Sequence, residues 1–322
     1  MEGFSRRSFL AGAGVVAATY ATQPVFSLAS VSKSPFKVAV ISDEISQDFD
    51  HACSIASKEF GLQWVELRGM WNKNLQSLTD AEIGEALKIL AKYNLRVTDI
   101  ASPLFKVDWP GAPRSAHSPK KDSFGVDTLK EQDVVLEQSI ALAKKFKTDK
   151  LRCFDFWRLD NVKPYREAID RKLEAAANTC GKQGVLLVLE NEFACNTATG
   201  REAARTLGAV TTPHLALNWD AGNAVMRGEF DAYPAAWNLL PKHRIRHCHV
   251  KNAVKDASGK VVWSPVGMGI IDWTAQFRDL AKAGYRDAVS LETHWHGAPT
   301  PEESTRQSWA GMKQALKDSA TL

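Results

Sequence analysis

The sequence has no GxGxxG after its first apolar strand, no CxxC pair, and little net charge for its length. Each absence removes a class. Without the glycine fingerprint nothing nominates a dinucleotide crevice, which weighs against an open doubly wound sheet. The five cysteines, Cys53, Cys153, Cys180, Cys195 and Cys248, are an odd set with neither a disulfide framework nor zinc-ribbon spacing. Cys153 and Cys248 lie inside apolar strand patterns and read as small core residues. A formal charge of +4 over 322 residues gives no global case for nucleic acid. The cluster Lys144, Lys145, Lys147 and Lys150 reads as the wet face and end of a helix rather than a phosphate track.

What is present is an apolar run that ends abruptly in acid. GVLLVLENE, residues 184–192, is uninterrupted from Val185 to Leu189 and closes on Glu190. A strand buried on both faces of a helix-covered parallel sheet looks like this, because burial removes the polar/apolar alternation. HLALNWDAGN then ends in Asp220, IRHCHVKN carries His247 and His249, and AVSLETHW carries Glu292. Successive ligand-type residues are spaced by about 30, 30 and 43 positions, the length of single β-loop-α-loop units. In such proteins ligands bind at the C-terminal strand ends, so the four carriers point to one site.

Taken in order, strands are expected over 36–42, 62–69, 95–102, 150–158, 184–192, 214–220, 244–252 and 288–295, with helices between them. Eight strand-helix units make a single (β/α)8 TIM barrel over 31–322. Thr79 and Glu82 form a capping box before the stripe Ile83, Leu87, Leu90. Residues 103–124, rich in proline, form one long irregular segment expected to overhang the barrel mouth as a lid. Two-residue alternation puts Trp64, Glu66 and Arg68 on one face of strand two. Glu66 is expected to face the cavity, with an ion pair to Arg68 as the alternative. In strand seven the same rule groups His247, His249 and Lys251. His247 is left open between a support for the site, a substrate contact and a hydrogen-bonded core histidine. His294 and His296 raise the same question beside Glu292. The segment after strand seven is expected to be a loop with a Gly-rich turn. Trp71, Trp157, Trp219, Trp263 and Trp295 fall near C-terminal strand ends, where their faces either cover the apolar surface of a ligand or pack the rim.

Glu190, Asp220, His249 and Glu292 supply three carboxylates and one imidazole. That donor set suits Mn²⁺, Mg²⁺ or Co²⁺ better than a structural zinc, and Zn²⁺ stays open. A single divalent ion that chelates a carbonyl and the neighbouring hydroxyl acts as a Lewis acid, stabilising the enediolate formed when the adjacent C–H is deprotonated.

Residues 1–30 are not read as fold. Arg6 and Arg7, followed by Phe9, Leu10 and a small-residue apolar run shorter than the ~20 residues of a membrane span, resemble a twin-arginine export signal. The resemblance implies the twin-arginine translocase as a partner during export and a periplasmic location. Cleavage after Ala21 or Ala29 and retention as an N-terminal anchor both stay open.

The motif string GVLLVLENE, HLALNWDAGN, IRHCHVKN, PVGMGIIDW and VSLETHW resembles the xylose isomerase-like TIM-barrel superfamily over about residues 36–318. The resemblance implies a metal held by Glu190, Asp220, His249 and Glu292, with Glu190 and Glu292 also acting as bases. Relatives place a substrate-binding histidine three positions after the aspartate, where this chain has Asn223. Substrate contacts are expected from Glu66, Arg68, Trp157, Asn223, His247, Lys251 and His294. Export favours an unphosphorylated sugar or glycoside, so the expected activity is a metal-dependent isomerase or epimerase. The alternatives are a lyase that expels the aglycone of a 3-keto-glycoside and a non-catalytic carbohydrate-binding barrel. Endonuclease chemistry would need histidine ligands from the early strands, which carry none. An oligomer stays open.

Overall fold

A computed structural model of the chain describes residues 33–118 and 129–322. The export signal expected over 1–30 and residues 119–124 of the long irregular segment lie outside the described residues. Eight parallel strands build the wall: β1 (Lys37–Val40), β2 (Trp64–Leu67), β3 (Arg96–Ile100), β4 (Lys150–Cys153), β5 (Leu186–Glu190), β6 (Leu215–Asp220), β7 (Ile245–Val250) and β8 (Ala288–Leu291). Their order, β1-β8-β7-β6-β5-β4-β3-β2, returns to its start where Ile41 bridges Glu66. The result is a nearly closed (β/α)8 barrel, as the strand count predicts. Its thinnest seam is between β3 and β4, paired only at Ile100 and Leu151.

The helices are α1 (Phe49–Ser54), α2 (Asp80–Lys92), α3 (Leu129–Lys145), α4 (Arg166–Lys182), α5 (Gly200–Ala209), α6 (Ala221–Met226), α7 (Trp237–Leu239), α8 (Trp273–Lys282) and α9 (Pro301–Asp318). Local chemistry fixes several starts. Thr79 and Glu82 form the expected capping box on α2, Thr199 and Glu202 form another on α5, and Thr300 caps α9 ahead of Pro301. Midway along α9, Gly311 lets the helix touch the loop backbone: a Cβ there would lie 1.7 Å from the Val266 carbonyl oxygen.

Strand alternation sorts the side chains into two layers. Val38, Val40, Val65, Leu67, Leu187, Leu189, Leu217, Cys248, Val250, Val289 and Leu291 are buried in the apolar core that the helices cover. Their alternating neighbours Glu66, Glu190, Asn218, Asp220, His247, His249, Ser290 and Glu292 are equally buried but polar, and they fill the barrel interior. Burying so many polar groups is costly unless they pair with one another; Glu66, Glu190, Asp220, Glu292, His247 and His249 are linked by ion pairs, while the Ser290 hydroxyl has no partner.

Three expectations need correction. The segment after β7 is not a plain loop but an antiparallel hairpin, Asn252–Lys255 with Val261–Ser264; its Val261, Val262 and Trp263 supply the β-formers that the glycines around it obscure. The start of the expected lid is packed rather than overhanging: Leu104, Phe105 and Val107 are buried, and the backbones of residues 104, 105 and 107 accept hydrogen bonds from Phe154, Phe156 and Trp157. Lys150 is not on a wet helix face. It is buried in β4, with its ammonium 3.0 Å from Asp149 and 2.9 Å from Asp287.

Candidate metal centre

Four strand ends meet around one nitrogen. His249 Nδ1 lies 3.3 Å from Glu190 Oε1, 3.1 Å from Glu292 Oε2 and 3.7 Å from Asp220 Oδ2. One ligand-type atom from each of these four buried residues falls within 4.8 Å of the other three. They come from the ends of β5 to β8, so their convergence follows from barrel closure.

Each carboxylate is aimed by a specific partner. Asp220 caps α6: its Oδ1 accepts from the Asn223 amide at 2.8 Å, which turns Oδ2 toward the cluster. The Asp220 backbone is itself pinned by Asn191, whose side chain accepts from its N–H at 2.8 Å and donates to its carbonyl at 2.7 Å. Glu190 accepts from Asn223 Nδ2 at 3.0 Å on one oxygen and faces Arg152 at 3.1 Å on the other. Glu292 accepts from Lys251 at 2.6 Å on Oε2, while Arg68 lies 3.3 Å and His294 3.5 Å from Oε1. Arg68 is held in turn by Asp43 at 3.1 Å and Glu44 at 2.8 Å.

Burial alone would raise every carboxyl here. In Glu190 the charges of His249 and Arg152 outweigh it, and in Glu292 those of Lys251, His294 and His249 do, so both are held well below the usual carboxylate range. Asp220 is the group that yields. Burial, then the charges of Glu190 and Glu292 against the pull of Lys251, push it up to about 7. Burial would lower His249, but Glu66, Glu190 and Glu292 raise it well above the ordinary histidine value. A divalent cation fits this set. Three carboxylate oxygens and one imidazole nitrogen are the donors, and its charge would let all three carboxylates ionise together. The donor set does not decide which ion.

The expected substrate residues divide by depth. Arg68 and His294 are the most open, with side chains 24% and 28% exposed. Trp157 is nearly buried against Phe154 and Cys195. Asn223 and Lys251 are fully buried beside the carboxylates. Glu66 and His247 lie deeper, entirely buried, with Glu66 Oε1 2.9 Å from His249 Nε2. Glu66 is therefore not paired with Arg68, and it sits under the cluster rather than at the mouth. His247 sits beside it, 3.7 Å from Glu66 Oε2, and burial lowers it to about 4. Trp219 is not at the mouth either. Alternation turns it outward from β6, where it donates to Gln276 at 2.9 Å in the outer core. Trp263, on the hairpin, does reach the site, its ring 5.1 Å from that of His294.

Sequence reasoning missed Arg152 and Asn191. A signal for Arg152 existed: in KLRC the two cations alternate with apolar residues, so both point into the barrel. Asn191 gave none, since its role is a backbone clamp set by the β5–β6 register.

A family model described as Xylose isomerase-like TIM barrel matches residues 55–315. A search of the curated proteins finds no match. Among solved structures, the chain resembles the probable 3-DHS dehydratase AsbF of Bacillus anthracis at 20% identity and a TM-score of 0.63, covering 86% of this chain and 98% of that one. It also resembles a xylose isomerase-like TIM barrel protein of Mycobacterium smegmatis in complex with magnesium, at 15% identity and a TM-score of 0.62, covering 90% and 99%. A D-allulose 3-epimerase from Methylomonas sp., in complex with D-allulose, matches at 15% identity and a TM-score of 0.62, covering 88% and 98%. At these identities the likeness shows the fold.

Proposed function

The chain belongs to the xylose isomerase-like TIM-barrel family, and from that membership we propose that it is a divalent-metal-dependent isomerase or epimerase of an unphosphorylated carbohydrate. The observation that carries the reading is the convergence of Glu190, Asp220, His249 and Glu292. These four would hold the ion, which when bound supplies Lewis-acid stabilisation of negative charge on a carbonyl oxygen.

The protein's own groups do the proton work. Glu190 on β5 and Glu292 just past β8 approach the centre with two strands between them. One carboxylate takes the proton next to the carbonyl, and the C–H electron pair moves toward the carbonyl oxygen. The other returns a proton, to the opposite face of the same carbon in an epimerase or, in an isomerase, to the neighbouring carbon while the hydroxyl proton passes to the former carbonyl oxygen. The charges of His249 and Arg152 on Glu190, and of Lys251 on Glu292, lower their basicity, so positioning carries more of the rate. Arg68 and His294 line the approach and bind substrate oxygens, with Trp263 offering a face to sugar C–H groups. Lys251, Asn223 and Trp157 complete the wall.

Two considerations favour an unphosphorylated substrate. Arg6 and Arg7 support periplasmic delivery by the twin-arginine route, and the Methylomonas neighbour was solved with D-allulose, a free sugar. The test is solvent exchange. Wild-type protein with Mn²⁺ and candidate sugars in D₂O should place deuterium at the reacting carbon. Glu292→Gln should bind sugar but lose exchange by a factor on the order of 10² or more. Turnover without exchange would point to hydride shift and end the two-glutamate mechanism. Release of an aglycone from a 3-keto-glycoside would replace the isomerase reading with the lyase. Sugar binding with neither metal nor turnover would leave a binding barrel.

A further inference from the structure

We infer that Glu66 is a positioning residue: from the opposite wall of the barrel, its carboxylate holds the far nitrogen of His249 and so fixes the tautomer that leaves Nδ1 free for the cation. The inference rests on the metal reading above.

An imidazole can offer a lone pair at only one nitrogen while the other carries its proton. Nδ1 of His249 faces the oxygens of Glu190, Asp220 and Glu292, while Nε2 points the other way, 2.9 Å from Glu66 Oε1. A carboxylate only accepts, so Nε2 carries a proton; Nδ1 faces carboxylates too, and a cation held by Glu190, Asp220 and Glu292 takes the place of its proton while Glu66 keeps the one on Nε2. Asn218 is also 3.0 Å from that nitrogen through its amide and 3.2 Å from His247 Nδ1. A nitrogen that donates to Glu66 cannot also accept from Asn218. The amide is therefore turned so that its oxygen faces His249 and its N–H donates to His247 Nδ1; amide oxygen and nitrogen exchange places by simple rotation. His247 then carries its proton on Nε2, facing Glu66 Oε2 at 3.7 Å. This assignment pairs His249 with Glu66 and Asn218 with His247, and leaves only His247 Nε2 and Glu66 Oε2 without a hydrogen bond.

Glu66 is suited to the task by its place in the wall. It is fully buried, and its backbone forms the bridge with Ile41 that closes the barrel. The His249 ring is further boxed by the His247 ring at 5.4 Å, nearly perpendicular. Carboxylates set behind ligand histidines in this way raise the basicity of the coordinating nitrogen, and losing one typically weakens metal binding 10–100-fold.

The same atoms admit a different use. Glu66 Oε2 and His247 Nε2 are buried without hydrogen-bond partners, and with His249 they form a second compact donor group. A cation there would take the proton's place on His249 Nε2. The two uses differ in stoichiometry, one ion per chain against two.

The test begins with Mn²⁺ titrations of the full chain and elemental analysis. Wild type should bind one ion. Glu66→Gln keeps the volume but can donate an amide N–H to His249 Nε2, which drives the proton onto Nδ1. Its Mn²⁺ dissociation constant should rise about 10–100-fold, and Glu66→Asp, which retains the carboxylate, should recover part of the loss. Should Glu66→Gln not fold, anomalous diffraction from the Mn²⁺-loaded wild type decides, with the ion expected on Nδ1. Unchanged affinity in Glu66→Gln, coordination through Nε2, or a second ion on Glu66 and His247 would overturn the inference while leaving the upper site intact. A wild type that binds no divalent ion would instead overturn the metal reading itself.

Discussion

Replacing Arg152 by methionine tests the electrostatic design of the centre most directly. The guanidinium is buried in β4, 3.1 Å from Glu190 Oε2, and donates to the carbonyls of Ser102 at 3.3 Å and Ala101 at 3.0 Å. Methionine fills much of the space but leaves the buried Glu190 with His249 as its remaining positive neighbour and two carbonyls unpaired. Breaking one side of such a pair costs about 3–5 kcal/mol. At roughly 2–4 °C per kcal/mol for a large domain, that is a drop of about 6–20 °C in Tm. The loss should depend on metal. A divalent ion bound beside Glu190 takes over the neutralisation, so saturating Mn²⁺ should remove most of the ion-pair cost and leave only that of the two carbonyls, which is common to both conditions. Thermal melts of wild type and Arg152→Met, with chelator and with excess Mn²⁺, measure both gaps. The gap should be wide in chelator and clearly narrower in Mn²⁺. Equal gaps in both conditions would show that no cation neutralises Glu190, and no gap in chelator would refute the buried-pair reasoning.

Other outcomes follow from the same geometry. Asp220→Ala and His249→Ala should each abolish or greatly weaken metal uptake, read by elemental analysis; wild-type occupancy in both would rule out the four-residue centre. Gly311→Ala reverses a usual sign: alanine normally favours a helix by about 1 kcal/mol, but here its Cβ meets the Val266 carbonyl at 1.7 Å, so a net loss of about 1–3 kcal/mol is expected in urea melts. Burial would raise the Asp287 carboxyl, but Lys150 and Arg246 outweigh it and hold it low; its contribution is therefore full above the ordinary Asp value of about 3.9 and lost as pH falls through the lower folded value. Asp287→Asn should thus be less stable than wild type at pH 7 and close to it in strong acid, and a constant difference across pH would contradict this. Changing Arg6 and Arg7 to lysine should keep the protein in the cytoplasm, and unchanged periplasmic recovery on fractionation would remove the export argument.

The sequence by itself determined the barrel and the rim of its site. Parallel strands covered by helices become unbroken apolar runs, so an acid or histidine closing such a run stands out, and spacing of one β/α unit places four of them side by side. Capping chemistry was equally readable at Thr79 and Glu82, because a cap acts within one turn. Only the tertiary structure decided what happens across the barrel. Glu66 and His249 are 183 positions apart, and their meeting depends on the register of closure at Ile41 and Glu66. Trp219 was misread because, where both faces of a strand are buried, alternation separates neighbours without saying which face is the interior, and Lys150 because the lysines before it carry the helix pattern past the end of α3 at Lys145 into β4. The choice of face is made by which side chains the facing elements can satisfy: Gln276 takes the Trp219 N–H on the outside, and Asp149 and Asp287 take the Lys150 charge at the start of β4.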